Sequence, residues 1–393
     1  MSAWENMRSL FYAWIGCPRF RERAQKWRQG MAERWLAVIL AALSLGLAAM
    51  GDNAVLTEAK RAKKDDFYTQ RVDIENELRH YRAHFAGKVV LCNCDDPRKS
   101  EFFRYFSENF EMLKLKRLIA TCYKSQDVDL FSQKDCERAI KQVYEGDRNG
   151  NMIVDDDEVG VFELKGDGDF RSPECVELLK QADIVVTNPP FSLFREFVAL
   201  LVKHGKKFLI IGNVNSLICR EIFPLVINGQ IWLGASIHSG DRKFGVPDDY
   251  PLNATGCGID ENGQRFIRVK GVRWFTNLDY PQRHEKLPLY KKYTPEEYPK
   301  YDNYDAINVD KTSDIPEDYD GVMGVPVTFM DKYNPEQFEI IWQASGNTRA
   351  CAPKEVLAEL GYQCHPEDRG GCGILHGKRV YTRILIRHRR KAK

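Results

Sequence analysis

The stretch Ala182 to Phe191, reading ADIVVTNPPF, decides how this chain folds. Ile184 to Val186 is an apolar, β-branched run, and two prolines follow it at Pro189 and Pro190. Proline cannot extend a sheet ladder and restricts the residue before it, so the strand must stop at Thr187 or Asn188. Asn188, Pro189, Pro190 and Phe191 are then presented on a rigid loop at the carboxyl end of a central strand. That edge is where open α/β sheets bind ligands.

Working upstream, Pro173 to Gln181 reads as a helix, and Asp169-Phe170 before it as an acid beside an aromatic at the end of a preceding strand. Lys88 to Asn93, KVVLCN, is a short apolar strand that turns at Cys94-Asp95-Asp96-Pro97 into a helix capped at Ser100. Strand, turn and helix there make the first unit of a Rossmann-like sheet. The turn lacks a Gly-rich fingerprint, so carboxylates and other side chains must hold any cofactor in place of a glycine cradle. A second strand is expected at Arg117 to Cys122, and a helix at Val72 to Phe85 with Ile74, Leu78 and Tyr81 at helical spacing. Downstream, the pattern predicts a helix at Phe194 to His204 and strands at Lys207 to Gly212, Ile231 to Ala235 and Val272 to Thr276.

The loop suits one chemistry above others. The lone pair of an exocyclic amino nitrogen on a base is delocalised into the ring, so a site that makes it attack must accept both N–H hydrogens and draw the nitrogen towards tetrahedral geometry. The Asn188 side-chain oxygen and the Pro189 carbonyl can do this while Phe191 stacks on the base. The bland alternative is a strand-ending turn, since Asn-Pro pairs are common turn formers. Asp169-Phe170 divides in the same way, between a contact to an adenine amino group with a ring cover and a Gly-Asp turn with a core Phe.

The 393 residues and 43% hydrophobic content bound a chain of two domains, or of one large domain with insertions. Charge is nearly balanced at 58 basic against 56 acidic side chains, so a nucleic-acid partner has to be held by a local patch. The eleven cysteines form no C-x-x-C pair, which points away from zinc and towards reduced thiols in a cytoplasmic protein. Trp35 to Met50 is apolar but shorter than the roughly 20 residues a spanning helix needs. Residues 1–49 are therefore expected to be an extension outside the fold, with a membrane tether as the alternative.

Residues 129–161 interrupt the alternation of strands and helices and read as an acidic insertion. Within them Asp147, Asn149, Asn151, Asp155 and Glu158 fall at positions 1, 3, 5, 9 and 12 of a calcium loop, with Met152 where the sharp turn demands glycine. A solvated acidic loop and a structural ion site remote from the chemistry are both open. No catalytic metal is expected.

After Asp279 the chain turns rich in Tyr and Pro, with apparent strands at Val325 to Met330 and Phe338 to Trp342. This suggests a boundary between a catalytic domain at 50–279 and an irregular α+β target-recognition region at 280–393. It ends in a run of positive charge through Lys378, Arg379, Arg383, Arg387, Arg389, Arg390, Lys391 and Lys393, of which Arg387, Arg389, Arg390 and Lys391 are the expected DNA contacts.

Taken together, DDFYTQ, VVLCNCDDPRKSEFF, ELKGDGDFRSPEC, ADIVVTNPPFSLFREFV, VRWFTNLD and YTRILIR resemble the EcoRI-type family of adenine-specific DNA methyltransferases over roughly Asn53 to Arg387. The resemblance implies a class I methyltransferase sheet with helices on both faces, S-adenosylmethionine as donor, and methyl transfer to N6 of an adenine flipped out of double-stranded DNA. It carries the catalytic loop onto Asn188, Pro189, Pro190 and Phe191. Asp169 and Phe170 match the contact to the cofactor's adenine, and Phe67, Tyr68, Thr69 and Gln70 the motif near its methionine end. Asn93, Asp95 and Asp96 stand where the first-strand cofactor motif belongs, and Thr121-Cys122-Tyr123 leaves the ribose contact unassigned. One extruded base needs one active site, so a monomer is expected, alone or beside a restriction endonuclease for the same site. Amino-methylation of cytosine N4, RNA or protein glutamine, and a non-catalytic DNA-binding protein of the same fold, are the alternatives.

Overall fold

The computed structural model describes residues 67–94, 96–123, 139–246, 250, 252 and 256–389. The expectations for residues 1–49, Asp95, Arg390 and Lys391 lie outside them. Residues 65–393 form one compact unit, within which the expected boundary at Asp279 falls.

The chain enters through β1 (Tyr68–Thr69) and α1 (Arg71–Leu78), then β2 (Val89–Asn93), α2 (Glu101–Glu108), α3 (Phe110–Leu113) and β3 (Arg117–Thr121). The Ser100 hydroxyl caps α2 by accepting from the Phe102 amide at 3.2 Å. An antiparallel hairpin, β4 (Ile140–Tyr144) and β5 (Val159–Glu163), precedes α4 (Pro173–Gln181), β6 (Ile184–Thr187), α5 (Phe194–Lys203) and β7 (Lys207–Asn213). Next come α6 (Phe223–Ile227), β8 (Trp232–Leu233), β9 (Asp241–Gly245), β10 (Cys257–Ile259), β11 (Arg265–Lys270) and β12 (Val272–Thr276).

Eight of these strands form one mixed sheet in the order β5-β4-β3-β2-β6-β7-β12-β8. Its centre, β3-β2-β6-β7, is parallel, and β12 runs antiparallel to both β7 and β8. Alternate residues of the central strands enter two separate cores, as a doubly covered sheet requires. Leu91, Ile119, Val185 and Ile210 face α4 and α5, whereas Val90, Leu118, Ile184 and Leu209 face α1 and α2.

The acidic stretch breaks the alternation of strands and helices with an antiparallel hairpin: β4 pairs with β3 and carries β5, so the hairpin extends the sheet at its edge. One sequence expectation is corrected here. Asp169-Phe170 lies on the loop after β5 and not at a strand end. Gly168 explains why. It has φ +78°, and a Cβ there would stand 2.1 Å from the Cys122 carbonyl oxygen, so the chain crosses the end of β3 at a distance only glycine permits.

A second sheet, β1-β9-β11-β10, assembles from segments far apart in sequence. A third is built from β13 (Ala306–Asn308), β14 (Val322–Pro326), β15 (Phe338–Ala344) and β18 (Arg383–His388), in the order β13-β14-β18-β15. β14 ends at Pro326 and gives way to a 3-10 turn over Val327–Lys332, where the sequence had suggested strand to Met330. Between β15 and β18 lie α7 (Thr348–Cys351), α8 (Lys354–Glu359) and the two-stranded hairpin of β16 (Ile374–Leu375) and β17 (Lys378–Arg379). The expected basic tail is thus largely structural: Ile384, Leu385 and Ile386 are fully buried, and β18 is a central strand. Among the described residues no helix is long and apolar enough to cross a membrane.

Candidate active site

The parallel strands order their carboxyl ends along one edge. From β2 the chain continues to β3 on one side and later to β6 on the other, so the crevice between β2 and β6 is a point where strand order reverses. Asn93 ends β2 and Asn188 follows β6. The Thr187 hydroxyl donates to the Asn93 carbonyl and ties the two strand ends together.

Asn188 is buried, and its amide orientation is set by one bond. Nδ2 donates to the Phe67 carbonyl oxygen at 2.6 Å, which leaves Oδ1 as the free end of the amide. Oδ1 has no hydrogen-bond partner. A buried acceptor left unsatisfied costs about 1–3 kcal/mol, so Oδ1 is an acceptor open to a donor at this strand-edge crevice. Pro189 is buried beside it, and the Pro190 carbonyl accepts from the Leu193 amide at 2.9 Å, closing the turn that starts α5.

Phe191 is half-buried and stands edge-on to Phe67, with ring centroids 5.8 Å apart, and to Phe244 at 6.3 Å. Phe67 also meets Tyr250 at 6.3 Å. The loop therefore has an aromatic wall drawn from β1, β9 and the segment after it. The sequence reading named Phe67 and Phe191 but missed Phe244 and Tyr250. No local signal marks them, because they reach the wall only through the pairing of β1 with β9.

Of Phe67, Tyr68, Thr69 and Gln70, Phe67 reaches the Asn188 loop directly. Thr69 is buried, and its hydroxyl, like the Asn93 side-chain oxygen, has no partner. Asp96 is buried at the turn after β2 and receives Arg98 through Nε at 3.0 Å and the guanidinium NH2 at 2.9 Å. Asp169 is similarly gripped by Arg171, at 2.9 Å and 2.6 Å, and this bond raises the arginine's pKa, so it stays charged. Phe170 is 7% exposed and packs edge-on against Phe197 of α5 at 5.1 Å. The structure brings Phe67, Asn93 and the Asn188 loop together at one edge, with Asp96 on the turn after β2 and Gly168, just before Asp169-Phe170, crossing the end of β3.

Arg387 and Arg389 lie elsewhere. Arg387 donates to Glu339 at 3.0 Å and to Glu359 at 3.1 Å, so its charge is matched within the fold, while Arg389 is exposed and its Nε donates to the Phe338 carbonyl at 3.3 Å.

A doubly covered α/β sheet with an unsatisfied amide oxygen at its strand-order reversal presents an open acceptor where such sheets bind ligands, and comparison with known proteins identifies the family. The family model described as adenine-specific methyltransferase EcoRI matches residues 55–389. The type II methyltransferase M.EcoRI of Escherichia coli is 49% identical over 343 residues, covering 87% of this chain and 98% of that protein. M.MgeORF184P of Mycoplasma genitalium and M.MpnI of Mycoplasma pneumoniae, also type II methyltransferases, are each 38% identical, over 84% of this chain and 97% of their own lengths. No solved structure matches the chain. The class is that of an adenine-specific DNA methyltransferase. The chain belongs to the EcoRI family of these enzymes.

Proposed function

We propose that this enzyme methylates N6 of an adenine rotated out of double-stranded DNA, and that the crevice between β2 and β6 is where it does so. The unpartnered Oδ1 of Asn188 carries this reading. It is an acceptor for one N6 hydrogen, held in orientation by the 2.6 Å bond from Nδ2 to Phe67. The Pro189 carbonyl is the second acceptor. With both hydrogens held, the N6 lone pair is released from the ring and aimed. Phe191 covers the face of the extruded base, backed by Phe67 and Phe244.

The donor is S-adenosylmethionine, which supplies an activated methyl group on a sulfonium. The four parallel strands, with β12 antiparallel beside β7, are a Rossmann-like class I methyltransferase arrangement suited to it. The residues present fit such a ligand: the Thr69 hydroxyl, two residues after Phe67, and Asn93 Oδ1, at the end of β2, are a buried donor and acceptor without protein partners. Thr69, Asn93 and Asp96 would hold its methionine end, and Asp169 with Phe170 its adenine. The chain's own task in transfer is to orient N6 and shield the crevice with the aromatic wall; the proton that methylated N6 gives up passes to solvent.

DNA is held on exposed basic side chains of the C-terminal region, Lys378 and Arg379 of the β16–β17 hairpin and Arg389 after β18. Target reading is assigned to the region after Asp279. The enzyme acts as a cytoplasmic monomer and as the modification partner of a restriction endonuclease. Incubating a mixed-sequence plasmid with purified protein and donor, then sequencing for modified bases, tests the reading. N6-methyladenine at one recurring site is expected; methylcytosine alone, or no product, would overturn it.

A further inference from the structure

The loop from β4 to β5 has no part in methyl transfer. β4 runs antiparallel to β3 with Tyr144 opposite Leu118, near the start of β3, so the loop lies at the amino edge of the sheet, away from Asn93 and Asn188. Asp147, Asn149, Asn151, Asp155 and Glu158 place side-chain oxygens at positions 1, 3, 5, 9 and 12 of a twelve-residue loop.

The fold of the loop answers the objection raised by Met152. That residue has φ +60°, the left-handed conformation the sharp turn needs, and its side chain is 93% exposed, so nothing crowds it. Asp147 takes the amides of Gly150 at 2.6 Å and Met152 at 2.7 Å, which wraps the chain around its carboxylate. Asp155 Oδ2 lies 2.7 Å from Asn149 Nδ2 and 2.8 Å from Asn151 Nδ2, drawing positions 3, 5 and 9 together.

Glu158 supplies the independent observation. It is 6% exposed, and Oε1 accepts the Arg148 amide at 2.7 Å and the Asn149 amide at 3.3 Å, so the carboxylate reaches back into the start of the loop. Oε2 is buried with no partner. The nearby cations Arg117 and Arg148 are both bound to Glu145 and offer it none. A buried carboxylate oxygen without a donor is costly unless a cation completes it.

We propose that residues 147–158 bind calcium, and that the ion closes the tip of the β4–β5 hairpin. The ligands are hard oxygens, carboxylates of Asp147, Asp155 and Glu158 with amides of Asn149 and Asn151, and the Ile153 carbonyl occupies position 7. Such a mixed, adaptable set takes calcium over magnesium, which demands a tight octahedron, and over zinc, which prefers nitrogen and sulfur. Among the described residues no three His, Cys, Asp or Glu side chains stand together as a ready metal group, so the ion has to draw the carboxylates of Asp147, Asp155 and Glu158 together as it binds.

Tyr144 provides the probe. It is buried and pairs across the hairpin with Val159, the residue after Glu158, at the foot of the loop. Terbium added to the full-length protein should therefore emit on tyrosine excitation, and calcium should displace it with a Kd of about 10⁻⁶ to 10⁻⁴ M. Tyr144→Phe should lose the emission while calorimetry still detects calcium. Glu158→Gln should weaken calcium binding by tenfold or more. Since Glu158 also caps two amides, Asp155→Asn is the second variant, with the same expected loss. Calcium should raise the Tm by a few degrees and leave the methylation rate unchanged. No saturable binding at millimolar calcium, equal binding by both ligand variants, or methylation that requires calcium would overturn the proposal.

Discussion

The amide of Asn188 donates to the main-chain carbonyl of Phe67 at 2.6 Å, across 121 positions of sequence. This bond decides which end of the Asn188 amide faces the crevice, and so converts a loop residue into an oriented acceptor. Asn188→Ala should lower the methylation rate by about 10²-fold or more, judged from the loss of single preorganised groups in other sites. Binding of donor and DNA should hardly change. Single-turnover kinetics beside equilibrium binding separates the two, and near-normal turnover would refute the role.

Phe191 reports on the base and not on the donor. Phe191→Ala should weaken capture of the extruded adenine by about 1–3 kcal/mol, the range for base–aromatic stacking. A fluorescent adenine analogue at the target position gives the readout, and Phe191→Tyr should restore most of the signal. Loss of donor affinity instead would place the ring in the other half of the site.

The buried hydroxyl of Thr69 permits a test in which stability and binding move in opposite directions. Thr69→Val keeps the shape and removes an unpartnered polar atom, so the free protein should gain about 1 kcal/mol of stability. If the hydroxyl serves the donor, S-adenosylmethionine should bind about tenfold more weakly, the worth of one hydrogen bond. A variant that is less stable and binds normally would make Thr69 a structural residue.

Arg273 on β12 and Asp331 in the turn after β14 form an ion pair at 2.6 Å with both side chains 4% exposed, and Arg273 also donates to the His238 carbonyl at 2.6 Å. Arg273→Ala leaves a carboxylate buried alone and should cost about 3–5 kcal/mol. Burial already raises the Asp331 pKa, and Arg273 opposes that shift. Without the arginine the folded-state value rises further, so the deficit should be smallest below the unfolded value of about 3.9 and grow as pH rises through the folded one. Denaturant unfolding of both proteins across that range measures it.

Charge in the C-terminal region divides by whether it is already matched. Lys378 and Arg379 stand exposed on their hairpin, whereas Arg387 is held by Glu339 and Glu359. Replacing Lys378 and Arg379 by alanine should reduce the slope of log affinity for DNA against log salt by about 2. Arg387→Ala should leave that slope alone and lower stability. The reverse outcome would move the DNA surface to the far side of β18.

Much of the central sheet was legible locally. β6 and β12 fall where the apolar runs ADIVVT and VRWFT place them, and α4 begins at Pro173 with Ser172 as cap, because strand pattern, proline and cap each act within a few residues. The family strings reached further and named the enzyme. Hidden from both was everything that depends on pairing between distant segments. That the β4–β5 hairpin would extend the sheet was hidden because strand propensity does not state which edge a strand will join. The basic end looked like a tail because the burial of Ile384 to Ile386 is conferred by β14 and β15.

The stretch ADIVVTNPPF by itself determined that a strand ends in a rigid loop carrying Asn, Pro, Pro and Phe, since two prolines leave the backbone no other course. Tertiary structure alone decided what that loop can do. It brought the Phe67 carbonyl to Nδ2, left Oδ1 bare, and raised an aromatic wall from Phe67, Phe244 and Tyr250 behind Phe191. Proline restricts its own torsion and its neighbour's, which is a local constraint. The orientation of an amide depends on which distant carbonyl the fold delivers to it, and that is settled only when the long-range pairs have formed.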